Sequence, residues 1–150
     1  MKKWVPLLVA SLVVIAVAFY PHDSRRAAAL PEDLAELIDR AEKLVVLQEP
    51  FDGAEVLFES SERSDLDALK SSLRVERPQP NHYVHCKCDG TPAILFYANG
   101  QVIGQLTNHH AKFVRCSLWK SDAYLLDAEA FLKWFDERNI LGPRREYERS

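Results

Sequence analysis

The sequence predicts an α+β domain, an antiparallel meander sheet packed by helices on one face, following an N-terminal transmembrane helix. Three observations predict it. An uncharged apolar run follows two lysines at the start of the chain; three later stretches repeat apolar residues at helical spacing; and the short β-branched or aromatic runs are punctuated by Asp-Gly and Asn-Gly pairs. The expected order of elements in the domain is α-β-β-α-β-β-β-β-α.

Residues 1–20 read as a transmembrane anchor or a signal peptide. The uncharged segment from Trp4 to Tyr20 lies at the short edge of the roughly 17–25 residues that cross a bilayer as a helix. Its two ends carry aromatic rings, which favour the headgroup region. Ala16-Val17-Ala18 also has the small-x-small form that ends a secretory signal, so secretion after cleavage near Ala18 is the alternative to a retained single-pass anchor. The amine, Lys2 and Lys3 outweigh Arg25 and Arg26 on the far side. That bias keeps the N-terminus cytoplasmic and displays the domain outside the cytoplasm, with the membrane as first partner through Trp4 to Tyr20.

Residues 21–30, PHDSRRAAAL, form a polar, alanine-rich linker, and the domain proper covers 31–142. Pro31 opens a helix whose first turn carries Glu32 and Asp33, favoured there by the helix dipole, and Leu34, Leu37, Ile38 and Ala41 form its apolar stripe. Leu44-Val45-Val46-Leu47 is short and partly β-branched, which suits a buried strand, and EPFDG turns the chain into a second strand over 55–59. At Ser64 the S-D-L-D run starts a second helix with Leu66, Leu69 and Leu73 on one face. Pro78 and Pro80 break it.

From His82 to Leu118 the pattern is a four-stranded meander, with turns at Asp89-Gly90, at Asn99-Gly100 and around 108–111. Asp127 caps a last helix in which Phe131, Leu132 and Phe135 point inward, and Asn139 before Ile140 stops it. Residues 143–150 read as a polar tail.

The chain has 150 residues, of which 47% are hydrophobic and 10% aromatic, enough to build a core and exclude disorder throughout. Its net charge is -3; removing Lys2 and Lys3 leaves 17 basic against 22 acidic side chains, a balance of -5. Without a basic stripe such a surface repels phosphate backbones, so no nucleic acid is expected as a partner.

The chemistry concentrates in NHYVHCKCDG, residues 81–90, with NHH at 108–110 and Cys116 downstream. In a strand, Cys86 and Cys88 share one face with His82 and Val84. The expected registers place Tyr97 opposite Val102, Leu95 opposite Gly104, Cys86 opposite Leu95, and Cys116 opposite Ile103 on the reverse face. Both thiols then join an apolar layer, away from the imidazoles at the far bend. A one-residue bulge reverses that geometry.

Three functions compete. The first is a non-catalytic binding or interaction domain for a protein or small molecule, needing no cofactor, with Trp119 and Asp122 on a binding rim. The second is a zinc or copper site built from Cys86, Cys88, His109 and His110, with His82 or Cys116 able to contribute. The third is a thiol enzyme in which Cys86 or Cys88 attacks, a histidine acts as base and Asp122 orients it. A cross-strand disulfide between Cys116 and one of the other cysteines is a further use of the thiols.

HCKCDGTPAILFYANG, the NHH of 108–110 and the W-K-S-D-A of Trp119 to Ala123 resemble a group of uncharacterised bacterial proteins with H-C-x-C-x-G, H-H-G and W-x-S-D-A blocks. The resemblance covers about residues 30–142. It implies bacterial origin and a shared fold; the group has no known activity, so no residue role follows. Ala111 stands where that pattern has glycine.

Overall fold

The computed structural model describes residues 30–76, 78 and 85–149. Its elements are α1 (Glu32–Arg40), β1 (Lys43–Leu47), β2 (Val56–Ser60), α2 (Arg63–Ser72), β3 (Ala93–Ala98), β4 (Gln101–His109), β5 (Phe113–Cys116), β6 (Ala123–Tyr124), α3 (Ala128–Asp136) and α4 (Gly142–Arg149). The strands form one antiparallel sheet in the order β2-β1-β3-β4-β5-β6. The α+β class and the antiparallel sheet are as the sequence predicts. The expected anchor lies outside the described residues, among which no helix is long and apolar enough to cross a membrane.

Local chemistry explains the helices. Leu34, Leu37 and Ile38 form the buried stripe of α1, and Glu32 and Asp33 occupy its positive first turn. α2 begins one residue before Ser64 and has no side-chain cap. Instead, the Ser60 hydroxyl donates to Asp65 Oδ2 at 2.6 Å and accepts the Glu62 N–H at 3.1 Å. Asp127 caps α3 by accepting from the Ala130 N–H, and Asn139, with φ of 61°, turns the chain out of α3 so that the Ile140 N–H returns to the Phe135 carbonyl at 3.0 Å.

The Asn99-Gly100 hairpin forms with positive φ at both residues, 51° and 74°, and pairs Tyr97 with Val102 as expected. A bulge between Phe96 and Tyr97 then shifts the register, so that Leu95 faces Gln105 and Phe96 faces Gly104. In the next pair Cys116 lies opposite Leu106 rather than Ile103. One face of the sheet, with Leu44, Val46, Ile94, Phe96, Leu106, Val114 and Cys116, packs against α1, α2 and α3 through Leu34, Ile38, Leu66, Leu69, Phe131, Trp134 and Phe135. Full burial of each large apolar side chain contributes about 1.5–3 kcal/mol, which places the centre of stability on this face.

Two expectations about the outer segments change. The four-stranded count of the second half holds, but its first expected strand, through the cysteines, is replaced: residues 85–90 form an irregular loop, and the fourth strand is the short β6. The 143–150 tail is helical through Arg149. Arg144 ties α4 to α3 by bonding both oxygens of Glu129, at 2.7 and 2.8 Å, and Asp136 Oδ2 at 2.6 Å.

Candidate metal centre

Side chains alternate along a strand, so residues flanking the core-facing Leu106 and Cys116 look to the opposite side of the sheet. Thr107, His109 and Arg115 are those residues, with Thr107 paired to Arg115. The loop that carries Cys86 and Cys88 lies over them. Arg115 fixes it: Nη2 donates to the Cys86 carbonyl at 2.7 Å and Nη1 to the Cys88 carbonyl at 3.4 Å. Asp122 Oδ2 accepts the Cys86 N–H at 2.7 Å, and Arg115 Nε donates to Asp122 Oδ1 at 2.6 Å. These long-range bonds occupy backbone groups that a strand would pair with a neighbour, which is why the segment is a loop.

Asp122 is therefore no exposed rim. Its side chain is wholly buried, and although burial acts to raise its pKa, the Arg115 guanidinium and the Cys86 N–H hold it below the ordinary carboxylate value. Trp119 is half-buried and donates its indole N–H to Asp33 Oδ2 at 2.8 Å, fastening the turn after β5 to α1.

The loop brings the thiols together. Cys86 Sγ and Cys88 Sγ are 2.7 Å apart, inside the contact distance of unbonded sulfurs and outside the roughly 2.05 Å of a disulfide. His109 Nδ1 lies 3.0 Å from Cys88 Sγ. The ligand atoms of Cys86, Cys88 and His109 all fall within 4.8 Å of one another. His110 stands at the edge of this group, its Nε2 3.5 Å from Cys86 Sγ. Consecutive strand residues point to opposite faces, and φ of 59° at His110 breaks that alternation so that both imidazoles reach the sulfurs. The expectation that the thiols sit in hydrocarbon away from the imidazoles is overturned, because the cysteine segment leaves the sheet.

Each imidazole has a partner on its other nitrogen. His109 Nε2 is 2.9 Å from Thr107 Oγ1, and His110 Nδ1 is 2.6 Å from Glu146 Oε1 of α4. A proton on His109 Nε2, donated to Thr107, leaves the Nδ1 lone pair facing the sulfurs, the arrangement that orients metal-binding histidines. Burial, followed by the positive charge of Arg115, pushes the His109 pKa down to about 4, so the ring is neutral at pH 7. His110 moves the other way, its pKa raised by the Cys86 sulfur and then by Glu146.

The thiols also diverge. Burial opposes ionisation of Cys86, but hydrogen bonds from Cys88 and His110 outweigh it and lower the pKa. Cys88 is pushed up to about 11 by burial and by the adjacent Cys86 sulfur. Two sulfurs and two imidazole nitrogens suit a borderline-soft ion with tetrahedral preference. Around such an ion, with metal–sulfur bonds of about 2.3 Å, the sulfurs stand roughly 3.8 Å apart, so binding would part them by about 1 Å. A half-buried loop held by side-chain bonds can make that adjustment.

Cys116 takes no part. It is buried in the core face, and desolvation pushes its thiol pKa up to about 11. His82 lies outside the described residues. Sequence reasoning missed Arg115, Thr107, Gly90 and Glu146. Arg115 and Thr107 were visible only as polar positions alternating with apolar ones, while Glu146 had no local signal in a charged segment. Gly90, with φ of 79°, lets the loop pass against the His109 ring.

A cleft of about 170 Å³ opens beside Cys88, Gly90, His110 and Glu146. Compared with protein-family models, curated proteins and solved structures, the chain matches none of them.

Proposed function

We propose that this chain is a transition-metal-binding domain that holds zinc through Cys86, Cys88 and His109, with His110 as fourth ligand. The observation that carries the reading is the convergence of two thiols and an imidazole within 4.8 Å, each histidine oriented by a partner on its far nitrogen. Zinc is favoured because two thiolates with two imidazoles match its tetrahedral donor set; copper(I) would draw mainly on the sulfurs. The cleft beside Cys88 and His110 gives the ion a way in and out, which suits a domain that binds reversibly rather than one that uses metal as a permanent staple. Glu146 and the Arg115–Asp122 pair serve as positioning groups.

The experiment is metal quantification on the full-length chain, purified under reducing conditions without chelator. The expected result is about one equivalent of zinc, lost in the Cys86→Ser/Cys88→Ser double variant. Less than about a tenth of an equivalent in the wild type after zinc is supplied would end the proposal. A copper content exceeding zinc would reassign the ion and leave the ligands standing.

Display on the outer side of a membrane, anchored through Trp4 to Tyr20, is proposed from the lysines, apolar length and flanking aromatics of that segment. Cell fractionation with protease protection tests it: recovery from membranes and digestion from the outer side are expected. A protein found entirely in the medium favours cleavage near Ala18.

A further inference from the structure

We propose that Cys86 and Cys88 form a reversible dithiol–disulfide couple, oxidised by a disulfide-bearing small molecule or protein, and that the oxidised state releases the metal. Only the second half of this inference rests on the metal reading. The couple itself stands on geometry. The two sulfurs are 2.7 Å apart on cysteines separated in the chain by Lys87 alone, and both residues are half-buried rather than sealed, with Cys88 at the edge of a cleft. The third cysteine is fully buried in the core on the other side of the sheet. Closing the bond requires about 0.7 Å of approach, a smaller movement than opening the sulfurs for an ion. The clamp of Arg115 and Asp122 holds the backbone at both cysteines and leaves the sulfurs facing each other and the imidazoles of His109 and His110.

The exchange is a two-step displacement. Cys86 enters first, because its neighbouring imidazole, His110, has a side chain 40% exposed, whereas His109 beside Cys88 is wholly buried. Cys86 gives up its proton to solvent, and the thiolate attacks one sulfur of RSSR. A bond forms between Cys86 Sγ and that sulfur while the substrate S–S bond breaks, and RS⁻ departs with the electron pair and is protonated by solvent. Cys88 Sγ then attacks Cys86 Sγ, forming the intraloop disulfide and expelling the second RS⁻, which takes up the Cys88 proton. The protein has lost two electrons and two protons, and the substrate has become two RSH. In the metal-loaded chain the thiolates are already deprotonated, so the two protons come from solvent and the ion is set free. An excess of RSH runs the sequence backwards.

The test equilibrates the full-length chain, metal-free and zinc-loaded, in mixtures of oxidised and reduced glutathione. Acid quenching, alkylation after denaturation and peptide mass mapping report each cysteine; a chromophoric indicator reports released zinc. Cys86 and Cys88 are expected to lose alkylation together, with the mass of an internal disulfide, while Cys116 stays alkylated. Zinc should appear in step with the disulfide, and Cys88→Ser should stop at a glutathione adduct on Cys86. A pair that stays reduced at every ratio, or a disulfide that uses Cys116, overturns the couple. Disulfide formation with zinc still bound overturns the release. A chain that takes up no zinc yet oxidises at Cys86 and Cys88 sinks the metal assignment and supports the couple, so the two failures are distinguishable.

Discussion

Gly90→Ala tests the packing on which the site depends. Gly90 has φ of +79°, and a methyl group there would lie 2.4 Å from His109 Nε2, 2.7 Å from Cε1 and 2.9 Å from Cδ2. An alanine in the left-handed region costs about 1–2 kcal/mol. The ring must also retreat by about 1 Å within packed surroundings, and overpacking of this kind costs about 1–3 kcal/mol. The metal-free chain should therefore lose about 2–5 kcal/mol, seen as a fall in Tm of roughly 8–20 °C at about 4 °C per kcal/mol. Moving the ring breaks its bond to Thr107 and shifts Nδ1 away from Cys88. Loss of such an orienting contact lowers metal affinity about 10–100-fold, which removes a further 1.4–2.7 kcal/mol or so of zinc-induced stabilisation at saturation. Gly53→Ala supplies the control: φ there is +81°, with nothing within 4 Å of the added carbon, so only the backbone cost applies. Thermal unfolding by circular dichroism, with and without zinc, and competition against a chromophoric chelator provide the readings. If the two alanine variants lose the same Tm and retain the same zinc affinity, the contact between Gly90 and His109 is refuted.

Asp122→Ala leaves Arg115 without its buried carboxylate and frees the Cys86 N–H; a loss of about 3 kcal/mol in urea unfolding is expected, and a loss below about 1 would show that the pair does not hold the loop. At Asp65, the Ser60 hydroxyl and then Arg138 outweigh burial and lower the carboxyl pKa below 3.8. The contribution is thus present above the ordinary value and lost as pH falls through the folded one, so the stability gap between wild type and Asp65→Asn, about 1–2 kcal/mol at pH 7, should narrow as pH is taken down below 3.8. A gap unchanged across that range contradicts the assignment. Burial of Cys116 predicts that iodoacetamide at pH 8 leaves it unmodified in the native chain and modifies it after denaturation, as peptide mass mapping would show. Labelling in the folded state at the denatured rate refutes its burial.

The parts of the fold that were legible in the sequence are those whose determinants are neighbours in the chain. Asn99 and Gly100 carry their own turn geometry, Asp127 reaches a backbone N–H three residues away, and the stripes of α1 and α3 repeat within a few turns. The bulge after Phe96 was not legible, since a single unpaired residue leaves apolar alternation nearly intact while moving every later partner. The cysteine segment alternates as a strand does, yet its backbone partners are side chains 29 and 36 positions away, Arg115 and Asp122. No local pattern records such a competition. The residue types of the site were visible from the start, but their convergence depended on the segment leaving the sheet and on the positive φ at His110. α4 escaped notice for a related reason: its attachments are the ion pairs of Arg144 and the contact of Glu146 with His110, where an apolar stripe was lacking.

The placement of the thiols on the sheet surface away from α1, α2 and α3 separates two tasks that small metalloproteins often merge. A domain whose interior is complete without its ligands keeps its shape when emptied, so loading and unloading need not be coupled to collapse and unravelling. If the proposed site holds an ion, such a scaffold would take it up and surrender it while presenting the same outline to whatever lies beside it.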